Sequence, residues 1–317
     1  MAKSTLDIVR ERGELRCAVH TGLTGMSVPD SQGKWKGLFV DYCRAIAAAT
    51  LGDPDKVKYV PVSSQQRFAV LQSGEVDLLS RTTTWTLSRD SALGLNFVGV
   101  MFYDGQSFLV RKDLGIDSAK GLDGGTICVK TGTTAEQNTA DYFGMNGLSF
   151  KPVVFEGSDE ANTAFFSGRC DALTTDASAL TSVRVSNAPN PDDYVVLADR
   201  IAKEPLGPTV RADDDQWFDI SKWVLNVLIN AEEMGITAAN AEKMAKESQN
   251  PSVKRLLGAI PGSGKALGLD EGWAVRVLTA VGNYGEMYDR HLTPIGLERG
   301  QNRLWSDGGL MYGLPIR

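Results

Sequence analysis

Leu78-Leu-Ser-Arg-Thr-Thr-Thr-Trp-Thr-Leu-Ser-Arg-Asp90 is the stretch on which the reading of this chain turns. Val76-Asp-Leu-Leu79 has the apolar content of the end of a short buried strand. Ser80, Thr82, Thr83 and Thr84 then crowd hydroxyls at its carboxyl end. Thr86, with Arg89 three residues on, makes a helix start. In an open α/β sheet, small ligands sit just beyond the carboxyl ends of strands. Hydroxyls there can accept from an ammonium or donate to a carboxylate. Arg89 is a natural bidentate partner for a carboxylate. By local pattern alone, a Ser/Thr-rich turn with a solvated arginine explains the stretch equally well.

Outward from this stretch, strand and helix patterns alternate. Upstream lie a short helix over 5–11, a strand over Glu14–His20, and the turn Asp30-Ser-Gln-Gly33 between two short strands. An Ala-rich helix over Asp41–Leu51 ends at Gly52-Asp-Pro54, followed by a strand at Lys58–Val62 and a helix over Gln65–Ser73. Downstream, strands are expected at Asn96–Val100 and Ser107–Val110, the second carrying the chain out of a first lobe. Thr126–Lys130, Lys151–Phe155, Asp171–Thr174 and Tyr194–Leu197 read as further strands. Thr131-Gly-Thr-Thr134 turns into a helix over Ala135–Phe143, which aims backbone N–H groups and hydroxyls at one point, a ready anion site. Asp159–Ser167 reads as a helix, and Asp176 starts another. Lys203-Glu-Pro-Leu-Gly-Pro-Thr-Val210 has the Pro/Gly marks of a crossover back. Trp217–Met234 is long and amphipathic, and 235–317 reads as a helical extension.

The alternation predicts an α/β fold of two lobes. Residues 1–108 and 208–317 make the first, including the C-terminal extension, and 109–207 the second. Two crossings between lobes suit a hinge, with a ligand cleft between them.

Composition narrows the function. The 317 residues are 42% hydrophobic and 23% charged, ordinary for a globular protein, and suffice for two packed domains. A net charge of −6 with scattered basic residues argues against nucleic acid and against an anionic membrane surface. No apolar run reaches membrane-spanning length. His20 and His291 are too few for a usual zinc site, and no metal or cofactor is expected. Cys17, Cys43, Cys128 and Cys170 lack CxxC spacing. An even count suits two disulfides in an oxidising compartment. Cys128 and Cys170 fall in strands that would be neighbours and are the first pairing expected, Cys17–Cys43 the second. Four buried free thiols are the alternative.

Gly74-Glu-Val-Asp77, the threonine cluster and Thr86-x-x-Arg89 resemble the ligand-contacting segment of periplasmic amino-acid-binding proteins, the solute-binding partners of ATP-driven importers. Lys130-Thr-Gly-Thr-Thr134, Gly168-Arg-Cys-Asp171 with Thr174-Thr-Asp176, and Lys203-Glu-Pro-Leu-Gly-Pro208 agree. With Asp215-Gln-Trp-Phe218 and Gly282-Asn-Tyr-Gly-Glu286 they resemble the general L-amino-acid-binding branch, from about residue 7 to 317. The resemblance implies a type II two-lobe fold, a free amino acid as ligand, an ABC-transporter permease as partner, a monomer, and a periplasmic location. The start Met-Ala-Lys-Ser-Thr lacks the charged end and apolar core of a secretory signal, so a signal removed from this chain is expected.

A free amino acid carries a carboxylate and an ammonium on one carbon, and burying either unpaired costs several kcal/mol, roughly. Arg89 and the helix start at Thr133 and Thr134 would take the carboxylate. The resemblance implies Asp176 for the ammonium; alone, an Asp there reads as a helix cap. Thr82 and Thr84 align with a pair that contacts the head group. Trp85 either lines the cleft or packs beneath the helix. His20, with Leu23 and Met26, would face the ligand's side chain. His20, Thr82, Phe39 and Ala177 depart from the residues usual in the branch, which leaves that side chain open.

Other chemistries find little support. Pro261-Gly-Ser-Gly-Lys-Ala266 lacks the spacing and the preceding strand of a phosphate loop and reads as a flexible surface loop. Asp213-Asp-Asp215 reads as an acidic helix start. No hydrolase or metalloprotease motif occurs. An enzyme on the same scaffold, such as a dehydratase, would need a general acid in the cleft, for which only Lys130, Glu136 and His20 are at hand. A receptor's sensory domain is the third reading.

Overall fold

The computed structural model describes residues 3–317. Met1 and Ala2, where the expectation about a removed signal begins, lie outside the described residues. Two sheets organise the chain. The first contains β1 (Leu15–His20), β4 (Val57–Val62), β5 (Leu78–Leu79), β6 (Leu95–Phe97) and β13 (Thr209–Arg211), ordered β4-β1-β5-β13-β6. β2 (Val28–Pro29) and β3 (Trp35–Lys36) form a separate hairpin around Asp30–Gly33, as the turn signal predicts. The second sheet holds β7 (Phe102–Arg111), β8 (Thr126–Lys130), β9 (Lys151–Phe155), β10 (Ala172–Asp176) and β11 (Tyr194–Val196), ordered β11-β7-β10-β8-β9, with β12 (Ala202–Leu206) paired to β7. This is the two-lobe α/β architecture expected. β12 and β13 are strands the sequence did not reveal: both fall in or at the end of the Pro/Gly-marked segment read as a crossover, and the three residues of β13 are too short to show a period.

In the first lobe, α1 (Thr5–Arg12) starts at a Ser4 cap and stops at the left-handed Gly13. α2 begins at Leu38 and runs to Leu51, three residues earlier than predicted. Gly37 sets that start, because it sits at φ 135° and a Cβ there would run into the Met26 carbonyl. α3 (Arg67–Gln72) and α4 (Leu87–Ser91) flank β5. α8 (Asp215–Glu233) is capped by Asp214, which accepts from Trp217 N–H, so the acidic run is a helix start as read. The Trp217 indole donates to Asp77 O at 2.9 Å. The core joins α2 and α8 to the extension through Trp217, Trp273, Tyr42 and Tyr284.

In the second lobe the strands alternate faces. Leu109 packs with Phe165 and Leu180, from α6 (Ser158–Phe166) and α7 (Ala177–Asn187). Phe108 and Val110 pack on the other face with Phe143 of α5 (Thr134–Met145). Cys128–Cys170 and Cys17–Cys43 are both disulfide-bonded, the pairings expected.

The chain passes between sheets through β7 and β12, which run antiparallel from Phe102↔Leu206 to Gln106↔Ala202. Beyond α8 come α9 (Ala241–Glu247), α10 (Pro251–Leu256), α11 (Ser263–Leu267), α12 (Trp273–Val281) and α13 (Tyr284–His291). α11 corrects one reading: Pro261–Ala266 is no flexible loop. Glu271 accepts from Gly264 and Lys265 N–H at 3.1 Å each and fixes a short helix. Asn283-Tyr-Gly-Glu286 also acquires a physical role. It is a capping box on α13, and Glu286 further accepts from Ala238 N–H. The extension grips the hinge. Asn302 accepts from Tyr103 N–H at 2.7 Å and donates to its carbonyl at 3.0 Å. The Tyr284 hydroxyl donates to Met101 O at 2.9 Å. Among the described residues, no helix is long and apolar enough to cross a membrane.

Candidate functional site

The carboxyl ends of four strands converge between the lobes. His20 ends β1, Ser80–Thr84 follow β5, Lys130 ends β8 and Asp176 ends β10. Between them lies a cavity of about 230 Å³, lined by His20, Thr24 and Thr82 from one lobe and by Lys130, Asn162 and Asp176 from the other. A narrow recess adjoins it, where Arg67, Arg81 and Thr82 face Lys130, Thr134 and Asp176. The lobes are bridged on either side. Arg67 Nη2 donates to Gly132 O at 3.1 Å, and the Ser186 hydroxyl meets that of Thr24 at 2.8 Å.

Asp176 occupies the cap position of α7, but its side chain makes no cap bond. Its carboxylate has no hydrogen-bond partner among the described residues and lines both cavities. Burial raises its pKa well above the usual carboxyl range, and the nearby carboxylates of Glu204 and Asp104 add to this. Lys130 and Arg67 oppose that rise. Such a group gains most from a cation delivered into the cleft.

Thr82 is buried and borders both spaces, its carbonyl accepting from Arg67 Nη1 at 3.4 Å. Thr84 and Thr134 are already engaged. Thr84 donates to the Glu204 carboxylate, and Thr134 Oγ1 donates to Glu204 Oε1 at 2.9 Å. Thr133 turns back on its own strand, donating to Lys130 O at 2.7 Å. The α5 amino end therefore has no side-chain cap. His20 is buried, and its Nδ1 accepts from Gly22 N–H at 3.0 Å. Burial, together with Arg81, Lys130 and Arg67, lowers its pKa well below the usual value. The ring is neutral, with its proton on Nε2.

Two expected residues stand elsewhere. Arg89 Nη1 donates to Thr84 O at 2.9 Å, and its guanidinium lies over the Phe68 ring, 5.4 Å from the centroid. It lines neither cavity. Trp85 stacks on Phe97 at 5.5 Å and 8° and borders a separate hollow. It packs outside the cleft.

The cations that do line the recess are Arg67 and Arg81. Arg81 Nη1 donates to Val62 O at 2.7 Å and Nη2 to Ser64 Oγ at 3.3 Å. Neither Arg67 Nε nor Arg81 Nε has a partner among the described residues. Burial pulls the pKa of Arg81 down to about 10. Lys130 is pulled to about 8, by burial first and then by Arg81, while its Nζ donates to Ser158 Oγ at 3.0 Å. Arg81 was visible within the hydroxyl cluster; Arg67 was not, since an Arg opening a short helix ordinarily reads as solvated. Charges buried this way call for a paired anion.

Residues 15–249 match the bacterial extracellular solute-binding proteins, family 3. The chain is 52% identical to the general L-amino acid-binding periplasmic protein AapJ of Rhizobium johnstonii, over 99% of this chain and 93% of that one. It is 51% identical to the glutamate/glutamine/aspartate/asparagine-binding protein BztA of Rhodobacter capsulatus, over 99% and 94%. Among solved structures, a periplasmic binding protein of an ABC transporter from Brucella ovis, with glutathione bound, superposes with a TM-score of 0.97 at 51% identity, covering 100% of both chains. The matched span and these identities make this chain a member of the bacterial extracellular solute-binding proteins, family 3.

Proposed function

We propose that the protein captures a free amino acid between its lobes in the periplasm and delivers it, as a monomer, to the membrane permease of an ABC importer. One observation carries this reading: the carboxylate of Asp176, without a hydrogen-bond partner among the described residues, faces a recess walled by buried guanidinium groups. An α-amino acid complements both. Its ammonium pairs with Asp176. Its carboxylate takes Arg81 and Thr82 at the recess, with the open amino end of α5 at Thr133 and Thr134 and with Arg89 one hydrogen bond behind, on the Thr84 carbonyl. The relatives' names, which describe amino-acid binding, support the same reading.

Closure turns on β7 and β12, between a lobe of residues 1–108 with 208–317 and one of 109–207. Ligand favours the closed form by its greater affinity for it. A micromolar dissociation constant, about −8 kcal/mol, suits so small a charged ligand. A thermal-shift screen against the twenty amino acids tests the proposal, since a bound ligand raises the melting temperature. No shift with any of them at millimolar concentration would sink it.

A further inference from the structure

Two demands meet where α7 begins. Asp176 stands at the cap position, where an aspartate ordinarily turns back to accept from the backbone N–H two or three residues on. Its carboxylate lines the cleft instead and makes no cap bond. The helix end is nevertheless capped. Ser178 N–H, in the first turn of α7, donates to Asp104 Oδ2 at 3.2 Å. Asp104 belongs to the hinge strand β7, 74 positions earlier in the chain. Its other oxygen accepts from Gly105 N–H at 2.8 Å, which fixes the carboxylate in place. Arg200 supplies a favourable positive charge. Glu204, which accepts from Thr84 and Thr134, stands directly opposite Asp104 in the β7–β12 pairing.

We propose that Asp104 is a positioning residue: it caps α7 in place of Asp176 and so leaves the Asp176 carboxylate free for the ligand's ammonium. This rests on the amino-acid reading of the cleft and deepens it. One side chain cannot serve both ends fully. A carboxylate turned back onto its helix holds an N–H group, and a ligand would have to break that bond in order to bind. With Asp104 on Ser178, the amino end of α7 is satisfied before any ligand arrives. Asp176 then keeps its place beside that end with its oxygens directed elsewhere. The borrowed cap also anchors the start of α7, and with it Asp176, to the strand on which the lobes turn.

Thermal melting of the ligand-free wild type, Asp104→Ala, Asp176→Ala and the double variant tests the exchange of caps. In Asp104→Ala, Asp176 is free to swing back onto α7, so the melting temperature is expected to fall little. In the Asp176→Ala background the same substitution leaves α7 without a cap, and it is expected to lower the melting temperature by about 2 °C or more beyond that. Calorimetric titration with L-glutamine as the probe reads the other half. Asp104→Ala is expected to bind about fivefold or more weakly, because the ligand must draw Asp176 off the helix. Asp104→Asn keeps a carbonyl oxygen for Ser178 N–H and is expected to stay within about threefold of the wild type. Equal melting losses in the two backgrounds, or an Asp104→Ala protein that binds as tightly as the wild type, would overturn the proposal. Asp104→Asn binding as poorly as Asp104→Ala would overturn it too, since the charge and not the cap would then matter. A wild type that gives no heat with L-glutamine or any other amino acid would overturn the amino-acid reading, and the melting comparison would still decide which carboxylate caps α7.

Discussion

Glu204, on the hinge strand β12, accepts a hydrogen bond from the Thr84 hydroxyl of the first lobe. The same carboxylate accepts from Thr134 Oγ1 at 2.9 Å and from Asn138 Nδ2 at 3.0 Å, both in the second lobe. A hinge residue thus ties both walls of the cleft, using hydroxyls that the sequence assigned to the ligand. Arg89, on the Thr84 carbonyl, backs this contact.

Removing the tie should loosen closure. Glu204→Ala frees Thr84 and Thr134, so the ligand-free protein should show a larger radius of gyration by small-angle scattering, and amino-acid affinity should fall. Burial raises the Glu204 pKa even though its hydroxyl partners favour the ionised form. With the folded value above the unfolded one, the stability it contributes is fully present below the ordinary carboxyl range. That stability is lost as pH rises through the raised value. An unchanged scattering curve for the variant would remove the tie from the mechanism.

Asp176→Ala should weaken amino-acid binding at least about tenfold, the loss of a charge-assisted hydrogen bond. Its effect on the ligand-free fold should be the opposite, because the wild-type carboxylate is held in the cleft without a hydrogen-bond partner among the described residues. The melting temperature without ligand should stay level or rise. A drop of several degrees would mean that the carboxylate is structural.

The same carboxyl predicts a pH dependence. Asp176 has its folded pKa raised well above the usual range, so the ligand-free fold gains stability as pH falls and loses it as pH rises through that value. The ligand's ammonium needs the ionised form, so affinity should run the other way and weaken towards acid pH. Calorimetry from neutral to mildly acidic buffer checks this, and Asp176→Asn should flatten the profile. Equal dependence in wild type and variant would assign the titration elsewhere.

Arg81→Ala and Arg89→Ala separate two ways of holding the ligand carboxylate. Both should weaken binding at least about tenfold. Arg81→Ala should act through direct contact. Arg89→Ala should act partly by releasing the Thr84 carbonyl, so it should also lower the ligand-free melting temperature. If calorimetric titrations are unchanged for both, the cationic half of the clamp is wrong.

The extension's grip on the hinge is open to the same treatment. Asn302→Ala removes two hydrogen bonds to the Tyr103 backbone and should cost about 1–3 kcal/mol in urea unfolding. Hydrogen exchange at Tyr103 N–H should rise with it. An unprotected Tyr103 amide in the wild type would count against this pin.

Much of the fold was legible in the chain because it is written in local terms. Gly13 and Gly52 end helices by reaching the left-handed region. Ser4, Thr86 and Asp214 start helices by accepting from a backbone N–H three residues on. The cysteines were separable by the elements they lie on or beside, Cys17 on β1 and Cys43 on α2, Cys128 on β8 and Cys170 just before β10, and the hydroxyl cluster after β5 marked the cleft. What the tertiary structure decided is which side chains face that cleft. Arg67 and Arg81 rather than Arg89 line the recess, and Glu204 takes Thr84 and Thr134. The physical reason is that spacing along a chain sets a residue's place on its own element. The depth at which a charge is buried, and the partner it meets there, exist only once two lobes built from distant segments are packed face to face.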